Sequence, residues 1–236
     1  MGRTNIEWCD FSVNPVKGIC PVDCKDNRGK SYCYARRMYK RFKWNPEIRE
    51  ILPGFLFEEL RVIKKPSRIF WGSTFELFHD SIPDLWRKDI FAMVGQFPQH
   101  THIFLTKQPQ NLIKWSPFPD NCWVGASVTD IDQLNNAIGA LYTVKARVKF
   151  ISFEPLLEQM PEKLSCGLVG AGISWVIIGQ QTPASIKTAP KMSWIQEILV
   201  AAHNAGNIPV FMKDNLKPLL VGGWAGWKLR QEFPKC

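Results

Sequence analysis

From residue 67 onward, short and nearly continuous apolar runs alternate with stretches whose apolar residues recur every three or four positions. The runs SRIFWG (67–72), HIFLTK (102–107), CWVGASV (122–128), VKFISF (148–153), WVIIG (175–179) and IPVFM (208–212) are apolar on both sides of the pleat. Strands buried in a parallel sheet have that pattern, whereas half-exposed strands alternate. Between the runs, Trp86, Ile90, Met93, Val94 and Phe97 share one helical face, and Ile131, Leu134, Ile138 and Leu141 share another. Ser193 is placed to cap the last long helix, with Gln196 reaching back, and Gly206 is placed to end it. Such runs joined by helices predict right-handed β-α-β units. The fold class is therefore α/β, as a partial (β/α)6-type TIM-like barrel with parallel strands; a doubly wound sheet is the alternative.

Parallel α/β folds carry their chemistry where strands end. The residues leaving the runs are Gly72-Ser73-Thr74 with Glu76, Thr106-Lys107, Ser127, Glu154-Pro155, Gly179-Gln180-Gln181 and Lys213-Asp214. Any one polar turn has an ordinary explanation in turn chemistry. Their recurrence after successive strands marks the mouth of a site. No fixed-period repeat or low-complexity linker divides the chain, so residues 1–236 are read as one domain, with a loop over about 9–34 and a C-terminal extension over about 213–236.

Composition narrows the class. The 236 residues are 45% hydrophobic, enough for one sizeable core. No apolar run reaches the roughly 18 residues of a membrane span, and MGRTNIEWCD lacks a signal-peptide core. A cytoplasmic protein without a membrane partner is expected. The net charge of +9 favours an anionic partner such as nucleic acid. YARRMYKRFKW interleaves basic residues with Tyr34, Tyr39, Phe42 and Trp44, which suits phosphates and bases, although a solvated helix face has the same composition. His79 and Asp80 suit either a substrate contact or a helix entry, and His100 and His102 a structural role.

Seven cysteines in a chain without secretory features argue against a disulfide framework. Cys20, Cys24 and Cys33 fall within fourteen positions, in CPVDCKDNRGKSYC. Three thiols do not complete a structural zinc site, which needs four ligands, unless Cys9 joins them. Three thiols on a 4Fe-4S cluster leave one iron open to a non-protein ligand. Cys122 and Cys166 read as ordinary core or loop residues.

CPVDC, followed by an aromatic residue and cysteine at Tyr32-Cys33, resembles the radical S-adenosylmethionine (SAM) superfamily, whose pattern is CxxxCxxC. An insertion, KDNRGKS (25–31), lengthens the loop here. Over nearly the whole chain, NIEWCDFSVNPVKGIC, CYARRM, IFWGSTFELFHDSIPD, FPQHTHIFLTKQP, CWVGASV, FISFEPLL and WVIIGQQTP resemble a phage-associated and bacterial family of unknown function, distantly related to spore photoproduct lyase. That family has Thr at the position of Cys9 and Gly-Glu at Gln180-Gln181. The resemblance implies an N-terminal cluster-binding loop in which Cys20, Cys24 and Cys33 ligate a 4Fe-4S cluster and SAM chelates the fourth iron. Tyr32 would lie by the adenine, Gly72 and Ser73 would meet the methionyl amine, and Lys107 and Ser127 the carboxylate or ribose. Glu154 would add a ribose contact, and Gly179 would let backbone approach the adenine. An enzyme is implied that cleaves SAM reductively to a 5′-deoxyadenosyl radical, which abstracts hydrogen from a substrate, with nucleic acid or a nucleotide as a candidate. It would draw electrons from an external one-electron reductant such as flavodoxin or ferredoxin. Two further classes remain beside it: a zinc-stabilised nucleic-acid-binding protein without catalysis, and a scaffold that keeps the barrel without a working cluster.

Overall fold

The computed structural model describes residues 2–26, 28–47, 51, 53–221 and 228–235; parts of the predicted loop at 27 and of the C-terminal extension at 222–227 and 236 lie outside them. Strand β1 (Gly2–Arg3) pairs antiparallel with β2 (Phe11–Val13). From β2 the sheet runs strictly in chain order and parallel, through β3 (Arg68–Trp71), β4 (Thr101–Thr106), β5 (Cys122–Ser127), β6 (Val148–Phe153), β7 (Trp175–Ile178) and β8 (Val210–Met212). Seven parallel strands form a half-barrel, so the predicted partial barrel stands and the doubly wound alternative does not. The six apolar runs all become strands: VKFISF keeps its bounds, HIFLTK shifts one residue toward the N-terminus, and the other four lose one or two residues. Strand β2, only three residues long, was too short to show a pattern.

Helices fill the crossovers. Helices α1 (Tyr34–Phe42) and α2 (Pro53–Arg61) join β2 to β3, α3 (Asp84–Gln96) joins β3 to β4, and α4 (Ile131–Thr143) joins β5 to β6. Helices α5 (Leu164–Gly170), α6 (Met192–Asn204) and α7 (Lys217–Val221) complete the outer layer. Asp130 caps α4, its side chain accepting from the Gln133 N–H at 2.8 Å. Helix α6 corrects one expectation: Lys191 stands at the cap and Ser193 lies inside the first turn, with no side-chain cap bond. Gly206, at φ 102°, follows the end of α6 as anticipated.

Period-two alternation sorts each strand between two cores. Ile69, Trp71, Phe104, Val124, Ile151, Phe153 and Val176 face the helices, while Phe70, Ile103, Trp123, Phe150, Trp175 and Phe211 face the barrel interior with Trp8. The interior is thus an aromatic plug. Gly125 makes room for it: a Cβ there would stand 2.6 Å from the Phe150 ring. Behind the sheet, His102 accepts from the Trp71 indole at 2.9 Å and its Nε2 meets the Phe97 carbonyl at 3.1 Å. His102 is therefore a structural core residue.

Both lateral edges are covered. Strand β1 lies on β2, and residues 230–232 lie on β8 through Met212 N–H to Arg230 at 2.7 Å and Glu232 N–H to Val210 at 3.1 Å. Among the described residues no helix is long and apolar enough to cross a membrane.

Candidate active site

Above the plug, inward positions turn small and polar. The parallel register sets Ser127 beside Ser152, and the next inward residues along their strands are Lys107, Glu154 and Lys213. A cavity of about 1050 Å³ opens there, at the C-terminal ends of the strands. It is lined by Cys20, Cys24, Cys33 and Tyr32, and also by Gly72, Ser73, Lys107, Ser127 and Glu154. Of the residues that the resemblance assigns to the cluster and SAM, Gly179 is the one outside the lining, as are Thr106 and Asp214 among the strand-end residues. A Cβ on Gly179 would lie 3.0 Å from the Lys213 side chain and 3.2 Å from that of Glu154.

The inserted loop explains how Cys24 and Cys33 meet. Lys25 bridges Ser31 antiparallel, and the Tyr32 N–H donates to the Cys24 carbonyl at 2.9 Å. Asp26 closes the tip, accepting from the N–H groups of Arg28 at 3.0 Å and Lys30 at 2.9 Å, while Gly29 takes φ 76°. Residues 25–26 and 28–31 form a stalk that returns to its own base. Arg36 ties the other end, donating to the Cys20 carbonyl at 2.9 Å and pairing with Asp23 at 3.5 Å.

Thiol electrostatics follow from this convergence. A hydrogen bond between the Cys24 and Cys33 side chains lowers Cys33 and raises Cys24, and the N–H groups of Ala35 and Arg36 at the start of α1 lower Cys33 further. Burial raises Cys20, against backbone N–H bonds from Val22 and Glu76. Cys9 stands apart in the inner core, its Sγ 3.7 Å from the Ile6 carbonyl, and burial pushes it up to about 12. Among the described residues no group of three His, Cys, Asp or Glu side chains suits a single metal ion. A zinc site built with Cys9 has no support in this arrangement. Cys122 is buried and Cys166 exposed, as expected of incidental cysteines.

The loop after β3 is held from both sides. Asn14, leaving β2, donates to Ser73 Oγ at 3.0 Å and accepts from the Thr74 N–H at 2.9 Å; Tyr34 Oη donates to the Ser73 carbonyl at 3.1 Å. Gly72 turns the chain at φ 76°, where a Cβ would lie 2.7 Å from the Phe75 carbonyl. Glu76 then buries its carboxylate beneath β4, accepting from Thr106 Oγ1 and the Lys107 N–H, both at 2.7 Å, and from the Phe78 N–H at 3.0 Å. Burial raises the Glu76 pKa against those three donors.

Lys107 Nζ stands 5.9 Å from the Tyr32 ring centre. Burial pulls its ammonium down, but Tyr32, Cys24, Glu76 and Glu154 more than offset that and hold it above the usual lysine value. Lys213 is the second inward cation, paired with Glu154 and 3.9 Å from Glu7. Asn14, Glu76 as an anchor, and the Lys213–Glu154 pair were not assigned roles from sequence. Strand-end position was the available signal for the last two. His79 meets Ser81 Oγ at 2.8 Å within the loop before α3, and Asp80 accepts from Asn111, in the turn after β4, at 2.8 Å, so both are engaged in holding the entry to α3.

Residues 3–224 match the model of a family described as "Protein of unknown function (DUF5131)". No curated protein matches the chain in sequence. Among solved structures, "Spore photoproduct lyase complexed with dinucleoside spore photoproduct" superposes with a TM-score of 0.55 at 14% identity, covering 85% of this chain and 62% of that one. A cysteine-to-serine mutant of spore photoproduct lyase gives a TM-score of 0.55 at 14% identity, over 75% of this chain and 57% of that one. The likeness is one of fold, and this chain spans about three fifths of the length of these two solved structures.

Proposed function

We propose that this chain, which belongs to the DUF5131 family of proteins of unknown function, is a radical SAM enzyme. The carrying observation is that three thiols, Cys20, Cys24 and Cys33, line one cavity at the C-terminal mouth of a parallel half-barrel. The donor set fits a 4Fe-4S cluster with one open iron. It is all thiol, two members share a hydrogen bond, and backbone N–H groups at Cys20 and Cys33 favour their ionised forms. The fold likeness to spore photoproduct lyase supports the same reading.

When bound, the cluster and SAM would supply one-electron cleavage of the sulfonium and a radical able to abstract hydrogen. The chain's own residues bind and exclude. Lys107, kept charged by its anionic neighbours and fixed at its backbone by Glu76, matches the SAM carboxylate. Ser73, clamped by Asn14 and Tyr34, offers oxygens to the methionyl amine. Tyr32, whose hydroxyl is hydrogen-bonded to Thr129, presents its ring to the adenine side. Ser127 and Glu154 meet ribose hydroxyls, and Gly179 leaves the room that the Lys213–Glu154 pair fills behind them. Beneath, the plug of Trp8, Phe70, Phe150 and Trp175 keeps water from the floor. Electrons would come from a flavodoxin- or ferredoxin-type donor.

Anaerobic reconstitution with iron and sulfide tests the proposal. Brown protein with about four irons per chain, and 5′-deoxyadenosine on adding dithionite and SAM, is expected. Colourless protein after reconstitution would overturn it.

A further inference from the structure

Five buried polar atoms on cavity-lining residues meet no hydrogen-bond partner among the described residues; besides Glu7 Oε2 and the Gln181 side-chain carbonyl these are Ser152 Oγ, the Trp8 indole N–H and the Gln180 side-chain carbonyl, the three on the most buried residues. Their residues are 0%, 2% and 2% exposed, where native proteins leave few polar atoms unpaired. Trp8 can only donate; the unpartnered Gln180 oxygen can only accept, one N–H of its amide already binding the Asn215 carbonyl; Ser152 can do either. Phe70 and Leu105 stand with them as apolar walls. A ligand that satisfies this set is flat, apolar on its faces and carries both an acceptor and a donor. A nucleobase has that form. Lys213 is paired with Glu154 and lies 3.9 Å from Glu7, and Lys107 is assigned to the SAM carboxylate in the reading above, so neither is left for a phosphate in the interior.

Phosphate chemistry lies outside. One face of α1 walls the cavity with Tyr34, Ala35 and Met38. Its other faces and the turn after it carry Arg37, Lys40, Arg41 and Lys43, with no acid between residues 34 and 46. Phe42 and Trp44 stack at 5.3 Å and 23° while remaining 51% and 46% exposed, and Phe55, 59% exposed, stands on the rim. Apolar rings so exposed on a soluble surface need a partner, and cations interleaved with stacking rings suit a single strand. The net charge of +9 has the same sign.

Resting on the radical SAM reading above, we infer that the substrate is a single-stranded nucleic acid that lies along the outer face of α1 and delivers one base into the cavity, where Ser152, Trp8 and Gln180 meet its edge.

Binding requires neither cluster nor SAM, so fluorescence anisotropy of the chain as purified tests it, with a labelled single-stranded oligonucleotide of about a dozen nucleotides. The double variant Lys40→Glu/Arg41→Glu is expected to bind at least tenfold more weakly, with a log–log salt slope shallower by about 1.4. Ser152→Ala, which deletes only an unpartnered hydroxyl, is expected to melt no lower than the parent while weakening the strand and reducing the emission rise of a central 2-aminopurine. Absent binding at about 50 mM salt, indifference to the charge reversals, or duplex bound as tightly as single strand would each overturn the inference. Loss of strand binding with SAM cleavage intact would locate a failure here; intact strand binding without cluster loading would locate it in the radical chemistry.

Discussion

The Tyr32 N–H donates to the Cys24 carbonyl at 2.9 Å, which closes the stalk at its base and returns Cys33 to Cys24. Sequence separation between the two thiols is thereby decoupled from their distance in space. Cys33→Ala is expected to abolish iron loading and SAM cleavage, while Cys9→Ala, in the aromatic core away from the three, keeps both. Iron and sulfide per chain after anaerobic reconstitution decide it, and a colourless Cys9 variant would reverse the ligand assignment.

In the proposed reading Lys107 offers a charge to one end of SAM, and a charge-assisted bond lost in a half-buried site costs about 1.5–3 kcal/mol. Lys107→Met should raise the SAM dissociation constant roughly tenfold or more with cluster content unchanged. Calorimetric titration of the reconstituted protein measures it; unchanged affinity would remove Lys107 from the site.

Gly72 is a backbone requirement. At φ 76°, with its missing Cβ 2.7 Å from the Phe75 carbonyl, Gly72→Ala combines left-handed strain with a clash against main chain that cannot swing away. A loss of about 2 kcal/mol or more is expected from urea unfolding. Gly95→Ala in α3 is the control. Nothing lies within 4 Å of its Cβ, and helix propensity favours it by about 0.5–1 kcal/mol.

His102 gives the fold an acid limit. Burial lowers its pKa to about 4 from 6.5, so below 6.5 the unfolded chain takes up a proton that the folded protein refuses. Stability is full above 6.5 and declines as pH falls toward 4. Between pH 7 and 5 the loss from this group is about 2 kcal/mol, and His102→Gln should flatten that segment of the stability profile. Urea midpoints at the two pH values measure the difference.

The strands and the outer helices were legible because burial on both faces and three-four spacing are local patterns that tertiary structure did not override. The cysteines were legible as a set because thiol chemistry is scarce. What escaped were polar contacts made across the chain. Glu76 beneath β4, Asn14 on Ser73 and Thr74, and Arg87, buried in α3 and donating to the carbonyls of Leu77 and Ile82, have partners that no periodicity announces. Ser193 looked like a cap because its residue type suits one, yet the chain enters α6 two residues earlier, at Lys191. The insertion read as an unplaced loop because its organising acceptor, Asp26, acts only once the turn exists.

A half-barrel, unlike a closed one, ends in two rows of unpaired backbone groups, and here β1 covers one row and residues 230–232 the other. Those few residues make no contact with the chemistry, yet they are what keeps one copy from adding its sheet to the next. Shortening the chain before residue 230 bares β8, and the expected outcome is growth into soluble oligomers and then precipitate at an intact cavity. The solubility of this protein and its chemistry are therefore separable by editing, which gives protein engineers two independent handles on one small sheet.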